Sequence, residues 1–182
     1  VVQNLLVSHP KLWDLDFPYR YTVETIIKKG GKTIDKYLTP FGIRSVKFDK
    51  DKGFFLNNKH LKLKGMCLHQ DAGCLGTAVP DRAYERRLLI LKEFGTNAIR
   101  CSHNPPSPEF LNYCDSIGFL VIDEAFDKWK SGYYEEFFDS SWQQDISDMV
   151  IRDRNHPSVI LWSIGNELAE AKLKDDTGIE RA

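Results

Sequence analysis

The most constraining feature of this sequence is a repeated pair: a short, almost wholly apolar run, then a segment with helical spacing. The runs are Leu61 to Leu68, Ala98 to Cys101, Phe119 to Ile122 and Val159 to Ile164. Between them lie helical patterns from Asp81, expected as an N-cap, to Phe94, from Glu109 to Ile117, and from Ser141 to about Arg154. Gly95 and Gly118 close the first two. Strands that are apolar on both faces and joined by helices belong in a parallel sheet, either open and doubly wound or part of a (βα)8 barrel. The polar residues choose between these. His69, His103, Asp123-Glu124 and Asn166-Glu167 all fall just past the ends of the four runs. A barrel gathers such ends at one mouth, whereas an open sheet spreads them along an edge. No run leads into a glycine-rich phosphate loop, the usual mark of a doubly wound nucleotide site. The expected fold is α/β, with residues 49–182 forming the first half of a TIM barrel, a truncated catalytic domain.

The first 48 residues follow a period of two. Tyr21, Val23, Thr25 and Ile27 alternate with Thr22, Glu24, Ile26 and Lys28, Gly30-Gly31 makes a turn, and a second strand runs from Ile34 to Leu38. After Pro40 and Gly42 a third resumes from Ile43 to Phe48. Three strands cannot close a sandwich, so residues 1–48 are expected to be the C-terminal part of one, cut at its front. The charged stretch Phe48 to Gly53 is expected to connect the two units.

With 42% hydrophobic residues the chain can bury a core, and a net charge of -1 gathers neither nucleic acid nor a membrane surface. No apolar stretch is long enough to span a bilayer. Cys67, Cys74, Cys101 and Cys114 lack metal-site spacing and read as buried apolar side chains or free thiols. The compartment is left undetermined.

A carboxylic acid that protonates a leaving-group oxygen needs a partly apolar pocket to raise its pKa. Glu167, delivered by a strand containing Trp162, is placed for that role, with Asn166 beside it able to donate to a sugar hydroxyl. The plain alternative is a carboxylate capping the segment Leu168 to Lys174. Asp123 and Glu124 could bind sugar hydroxyls, or make a turn or an ion pair with Arg100. His69 and His103 could contact a sugar ring, and Asn104-Pro105-Pro106 stiffens the loop after His103. Trp129 could stack on a sugar or pack its loop, and packing is expected for Tyr133 and Tyr134. No metal-ligand pattern or cofactor motif stands out.

Three segments resemble glycoside hydrolase family 2, the β-galactosidase and β-glucuronidase family: Arg100-Cys101-Ser102-His103-Asn104-Pro105, Val121-Ile122-Asp123-Glu124-Ala125, and the run from Arg152 to Glu167 ending Ser163-Ile164-Gly165-Asn166-Glu167. Lys64 to Asp71 resembles the family's first barrel strand, and Pro40 to Arg44 the immunoglobulin-like sandwich domain before it. The resemblance implies a retaining β-glycosidase acting on a carbohydrate substrate. Glu167 would be its acid/base, Asn166 would contact the 2-hydroxyl, and His103 and His69 would line the sugar pocket. The nucleophile of such enzymes is a glutamate on the seventh strand, so the resemblance implies an internal fragment that lacks it, the remainder of the parent enzyme being a required partner. Some β-galactosidases carry a histidine a few residues after the Asp-Glu pair, where this chain has Phe126-Asp127-Lys128-Trp129. The family's magnesium ligands are not recognisable and no metal is carried over. A β-galactosidase-like enzyme is the first reading. The alternatives are a β-glucuronidase-like enzyme and a carbohydrate-binding piece without turnover.

Overall fold

The computed structural model describes residues 2–168. Near the N-terminus, β1 (Tyr21–Lys29) and β2 (Lys32–Phe41) form an antiparallel ribbon. Gly30 and Gly31, at φ 56° and 79°, supply the two left-handed residues that a tight hairpin matched to strand twist requires. The expected third strand does not join them. Val46–Asp49 (β3) instead pairs with Gly53–Leu56 (β4), and β4 pairs with Lys59–His60 (β5), making a separate three-stranded sheet. The charged stretch expected to be a connector is therefore the turn of a hairpin. Asp49 Oδ1 accepts the backbone N–H groups of Asp51 and Lys52 at 3.1 and 3.0 Å, so its charges close the turn.

The second region alternates strand and helix: β6 (Gly65–His69), α1 (Asp81–Glu93), β7 (Ala98–Ser102), α2 (Pro108–Ile117), β8 (Leu120–Glu124), α3 (Glu135–Asp153) and β9 (Val159–Ser163). The strands are parallel and lie in chain order β6-β7-β8-β9. Right-handed crossovers that all step the same way put every helix on one face. On that face Ile99, Cys101, Val121 and Val159 pack against Tyr84 and Leu88 of α1 and Phe110, Leu111 and Cys114 of α2. On the other face Cys67, Arg100, Ile122 and Leu161 stand in register, exposed or half-buried. A doubly wound sheet would carry helices on both sides. One-sided cover and sequential order are barrel geometry, in agreement with the expected fold class.

Several boundaries move. Pro80, not Asp81, is the N-cap of α1, and Asp81 sits in the first turn where a carboxylate meets the positive end of the helix. α3 begins at Glu135, six residues before the expected Ser141, because Phe138 and Trp142 extend the buried stripe of Ile146, Met149 and Val150 back by a turn and more. The first barrel strand is only Gly65–His69, since the Leu61 to Lys64 stretch leads out of the small sheet. β8 runs on to Glu124, so both acidic residues lie inside the strand rather than past it. All four cysteines are free, Cys101 and Cys114 buried and Cys67 and Cys74 exposed.

Trp13 docks the N-terminal region on the base of the barrel strands. Its side chain is fully buried among Phe54, Leu56, Ala98 and Leu120, and its Nε1 donates to Asp115 O at 2.8 Å. The same end carries Gly118, the left-handed C-cap of α2 at φ 84°. A Cβ there would fall 2.3 Å from Leu15 O. The glycine thus serves both the helix end and the close approach of the two regions. Lys92 completes the seam, donating to Leu15 O at 3.0 Å and Gly118 O at 2.7 Å.

Candidate active site at the strand ends

The pleat decides what each strand end presents. Successive residues of a strand face opposite sides, so Asp123 and Glu124 cannot share a role. Glu124 points to the open face, the side of Arg100 and Ile122, and its neighbour in register is Ser163. It is fully buried and accepts from Arg100 Nε at 3.0 Å, His103 Nδ1 at 2.6 Å and Ser163 Oγ at 2.8 Å. A carboxylate is acceptor-only, so His103 carries its proton on Nδ1. The ion pair of Glu124 with Arg100, one of the alternatives for this residue, is what the structure contains: Arg100 Nη2 lies 2.8 Å from Glu124 Oε2.

Asp123 faces the helices. It is fully buried, and neither of its Oδ atoms has a hydrogen-bond partner among the described residues. Burial pushes its carboxyl up to about 8, and the neighbouring Asp153 carboxylate adds to the rise. Asp153 is itself gripped by Arg152, whose Nε and Nη2 donate to its two oxygens at 2.8 and 2.6 Å. Asp123 is therefore on the wrong side of the sheet to bind a sugar, which corrects that expectation.

Arg100 links the second strand to the fourth. Besides Glu124, its Nη2 donates to Asn166 Oδ1 at 3.0 Å. The other end of the Asn166 amide donates from Nδ2 to Asp127 Oδ1 at 2.8 Å, and the Asn166 backbone N–H donates to Asp127 O at 2.5 Å. Both atoms of the amide are spoken for, so its orientation is set. Asn166 is the strongest hydrogen-bond cause holding the Asp127 carboxyl below the usual carboxylate range, with Lys128 adding to it. Lys128 Nζ stands 3.1 Å from Asp127 Oδ2 and 3.3 Å from Glu167 Oε2.

Glu167 itself, at φ 49°, is mostly exposed, its side chain at 70%. Among the described residues it does not sit in the apolar pocket expected of it. The segment 169–174, which it would cap in the alternative role, lies outside the described residues.

His69 and His103 come together, ring centroids 5.3 Å apart in an edge-to-face contact. Trp129 does not join them. It is buried at 3% exposure, stacks on Phe138 at 5.2 Å and donates from Nε1 to Ile164 O at 2.8 Å. The ring supports the loop that carries Asn166 and Glu167 from beneath, correcting the sugar-stacking expectation. A Cβ on Gly165 would meet Leu168 Cδ2 at 2.7 Å and Trp129 Nε1 at 3.1 Å, so this residue keeps the loop seated on the indole. Tyr134 packs on Phe126, but Tyr133 is fully exposed, contrary to the packing expected of both.

A cleft of about 500 Å³ opens beside this cluster, lined in part by His103, Asn104, Phe126, Asp127 and Tyr134. Three participants escaped sequence reading: Asp127, Lys128 and Ser163. Ser163 was legible in principle, since it falls on the same pleat face as the end of its strand neighbour. Asp127 and Lys128 sit in a loop with no periodicity to read.

Comparison with known proteins places the chain in a family. Over 181 residues the chain is 52% identical to beta-galactosidase BoGH2A of Bacteroides ovatus, covering 96% of this chain and 21% of that protein. It is 35% identical over 173 residues to a beta-glucuronidase of Bacteroides fragilis, covering 91% and 25%. A solved glycosyl hydrolase family 2 member from Bacteroides cellulosilyticus superposes with a TM-score of 0.89 at 49% identity, covering 94% of this chain and 23% of that one. The chain thus spans a quarter or less of these three proteins. Residues 46–177 match the TIM barrel domain of glycosyl hydrolases family 2 and residues 1–44 match glycosyl hydrolases family 2, so the chain belongs to that family.

Proposed function

We propose that these residues supply the acid/base side of a retaining β-glycosidase, β-galactosidase-like, in which Glu167 protonates the glycosidic oxygen and later takes a proton from the attacking water. The observation that supports it most is the fixed Asn166 amide beside Glu167, held from one side by Arg100 and from the other by Asp127. An oriented amide next to the carboxyl group can grip a hydroxyl of the same sugar ring whose leaving oxygen Glu167 protonates. His103, with Nδ1 committed to Glu124, keeps Nε2 for a second sugar contact, and His69 stands edge-on to it. The attacking carboxylate of a retaining pair stands about 5 to 5.5 Å from the acid/base. Glu124 is not that group, since Arg100, His103 and Ser163 already occupy its oxygens.

Exposure of Glu167 among the described residues means that further chain must close over it before its carboxyl is shielded from water. Domain limits at residues 48 and 49 are part of the same proposal. A β-glucuronidase-like activity is the second reading, supported by the relatives that carry that name.

The test is Glu167→Gln in the full-length protein, assayed on aryl β-galactosides and β-glucuronides. The kcat/KM of poor leaving groups should fall by about 100-fold or more, while the kcat/KM of activated leaving groups is largely spared, because kcat/KM reports the first step and only the former need a proton there. Equal loss on both removes Glu167 from the acid role.

A further inference from the structure

We propose that Lys128 is a positioning residue that acts through Glu167: its ammonium, clamped by Asp127, holds the Glu167 carboxyl group at the edge of the mouth beside Asn166. This rests on the acid/base reading of Glu167. Lys128 Nζ lies 3.1 Å from both oxygens of Asp127 and 3.3 Å from Glu167 Oε2, bridging the two carboxylates. Asp127 is itself immobilised, because its carboxylate takes Asn166 Nδ2 and its carbonyl takes the Asn166 N–H. The chain of contacts therefore closes on itself: Asn166 fixes Asp127, Asp127 fixes Lys128, and Lys128 reaches Glu167, the residue bonded to Asn166.

The closed loop matters because the Glu167 side chain has three rotatable bonds and, among the described residues, no other ion-pair partner. An unrestrained carboxyl group is rarely at the position from which it can reach the leaving oxygen, and ordering it costs rotamer entropy. A lysine alone would be a poor restraint, its own stem being as mobile as the group it holds. Tied to Asp127, the ammonium becomes a fixed point. Isolated exposed ion pairs contribute little to stability, so the effect belongs in the rate of the step that needs the positioned proton rather than in folding.

In the first step the proton moves from the Glu167 carboxyl to the glycosidic oxygen as the bond to the sugar breaks. In the second a water proton returns to the Glu167 carboxylate. Lys128 gains and loses nothing in either. The charged and titratable groups around the loop are Asp127 and Glu167 on Lys128, with Arg100 and His103 behind Asn166 and Asp127.

Lys128→Met and Lys128→Arg in the full-length protein test this against aryl β-glycosides of poor and of activated leaving groups. Lys128→Met should lower kcat/KM on poor leaving groups by about 10- to 100-fold, with kcat/KM on activated substrates, which need no proton in the first step, changed by about twofold or less, and Lys128→Arg should recover most of the loss. A uniform loss across leaving groups, no loss at all, or an arginine variant as impaired as the methionine one overturns the assignment. Glu167→Gln is run beside them. If it spares poor leaving groups, the acid/base reading itself falls; if it shows the selective loss and Lys128→Met does not, only the role of Lys128 falls.

Discussion

Asp123 and Glu124, adjacent in β8, point to opposite sides of the sheet, Glu124 into the Arg100, His103 and Ser163 cluster and Asp123 toward Asp153 beneath the helices. Two carboxylates one residue apart thus face different chemistry. Glu124→Ala would leave Arg100 half-buried without its main partner and free the His103 ring. Loss of a buried partner of this kind costs about 3 kcal/mol or more. Chemical denaturation of the full-length protein should show that loss, and Glu124→Gln, which keeps the shape but not the charge, a smaller one. If Glu124→Ala raises KM without touching stability, the residue binds sugar directly instead.

Asp123 makes stability depend on pH. Its folded carboxyl is raised to about 8 by burial and by Asp153, whereas an unfolded aspartate titrates near 3.9. Between those values the folded state holds a proton that the unfolded state has released. The contribution is therefore fully present below about pH 4 and is lost as pH rises through about 8. Asp123→Asn, neutral at every pH, should flatten the fall in denaturation midpoint between about pH 4 and pH 8. An unchanged slope would show that Asp123 is ionised in the folded protein.

Trp129 supports its loop through an edge and a face. Trp129→Phe keeps the stack on Phe138 and loses the donation to Ile164 O, at about 1 kcal/mol. Trp129→Ala removes a buried indole and should cost about 3 to 5 kcal/mol. Thermal and denaturant midpoints measure both. A stable Trp129→Ala protein with weakened substrate binding would restore the sugar-stacking reading.

Gly118 carries two demands at once, so Gly118→Ala should destabilise the protein by more than the about 1 kcal/mol typical of a left-handed helix cap. The added methyl meets Leu15 O, and limited proteolysis should cut the region around Leu15 faster as the seam opens. Cutting at the wild-type rate would mean that the backbone shifts aside at no cost.

The 182-residue polypeptide on its own should show no turnover on aryl β-glycosides. Among the described residues, Glu124 is saturated by donors and Asp123 faces away from the mouth, while Asp127 is occupied by Asn166 and Lys128. None is free to attack an anomeric carbon. Measurable turnover by this polypeptide would show that one of them is released.

The sequence by itself determined the order and type of the barrel elements and the place where chemistry gathers. Apolar runs of strand length separated by helical spacing are local properties, and strand ends inherit their place from chain direction. Pairing Arg100 with Glu124 was also within reach, since both lie on neighbouring strands. What only the tertiary structure decided depends on contacts between distant residues. Arg100 meets Asn166 across 66 positions and Asn166 meets Asp127 across 39, and no local pattern encodes either. The pleat, displaced by the true end of β8, turned Asp123 away from the sugar side. Burial moved Trp129 from surface to support. Glu167 stood out from the start because of where its strand ends. That it is exposed among the described residues, with Lys128 Nζ 3.3 Å away, follows from a loop whose course is set by the side chains it packs on.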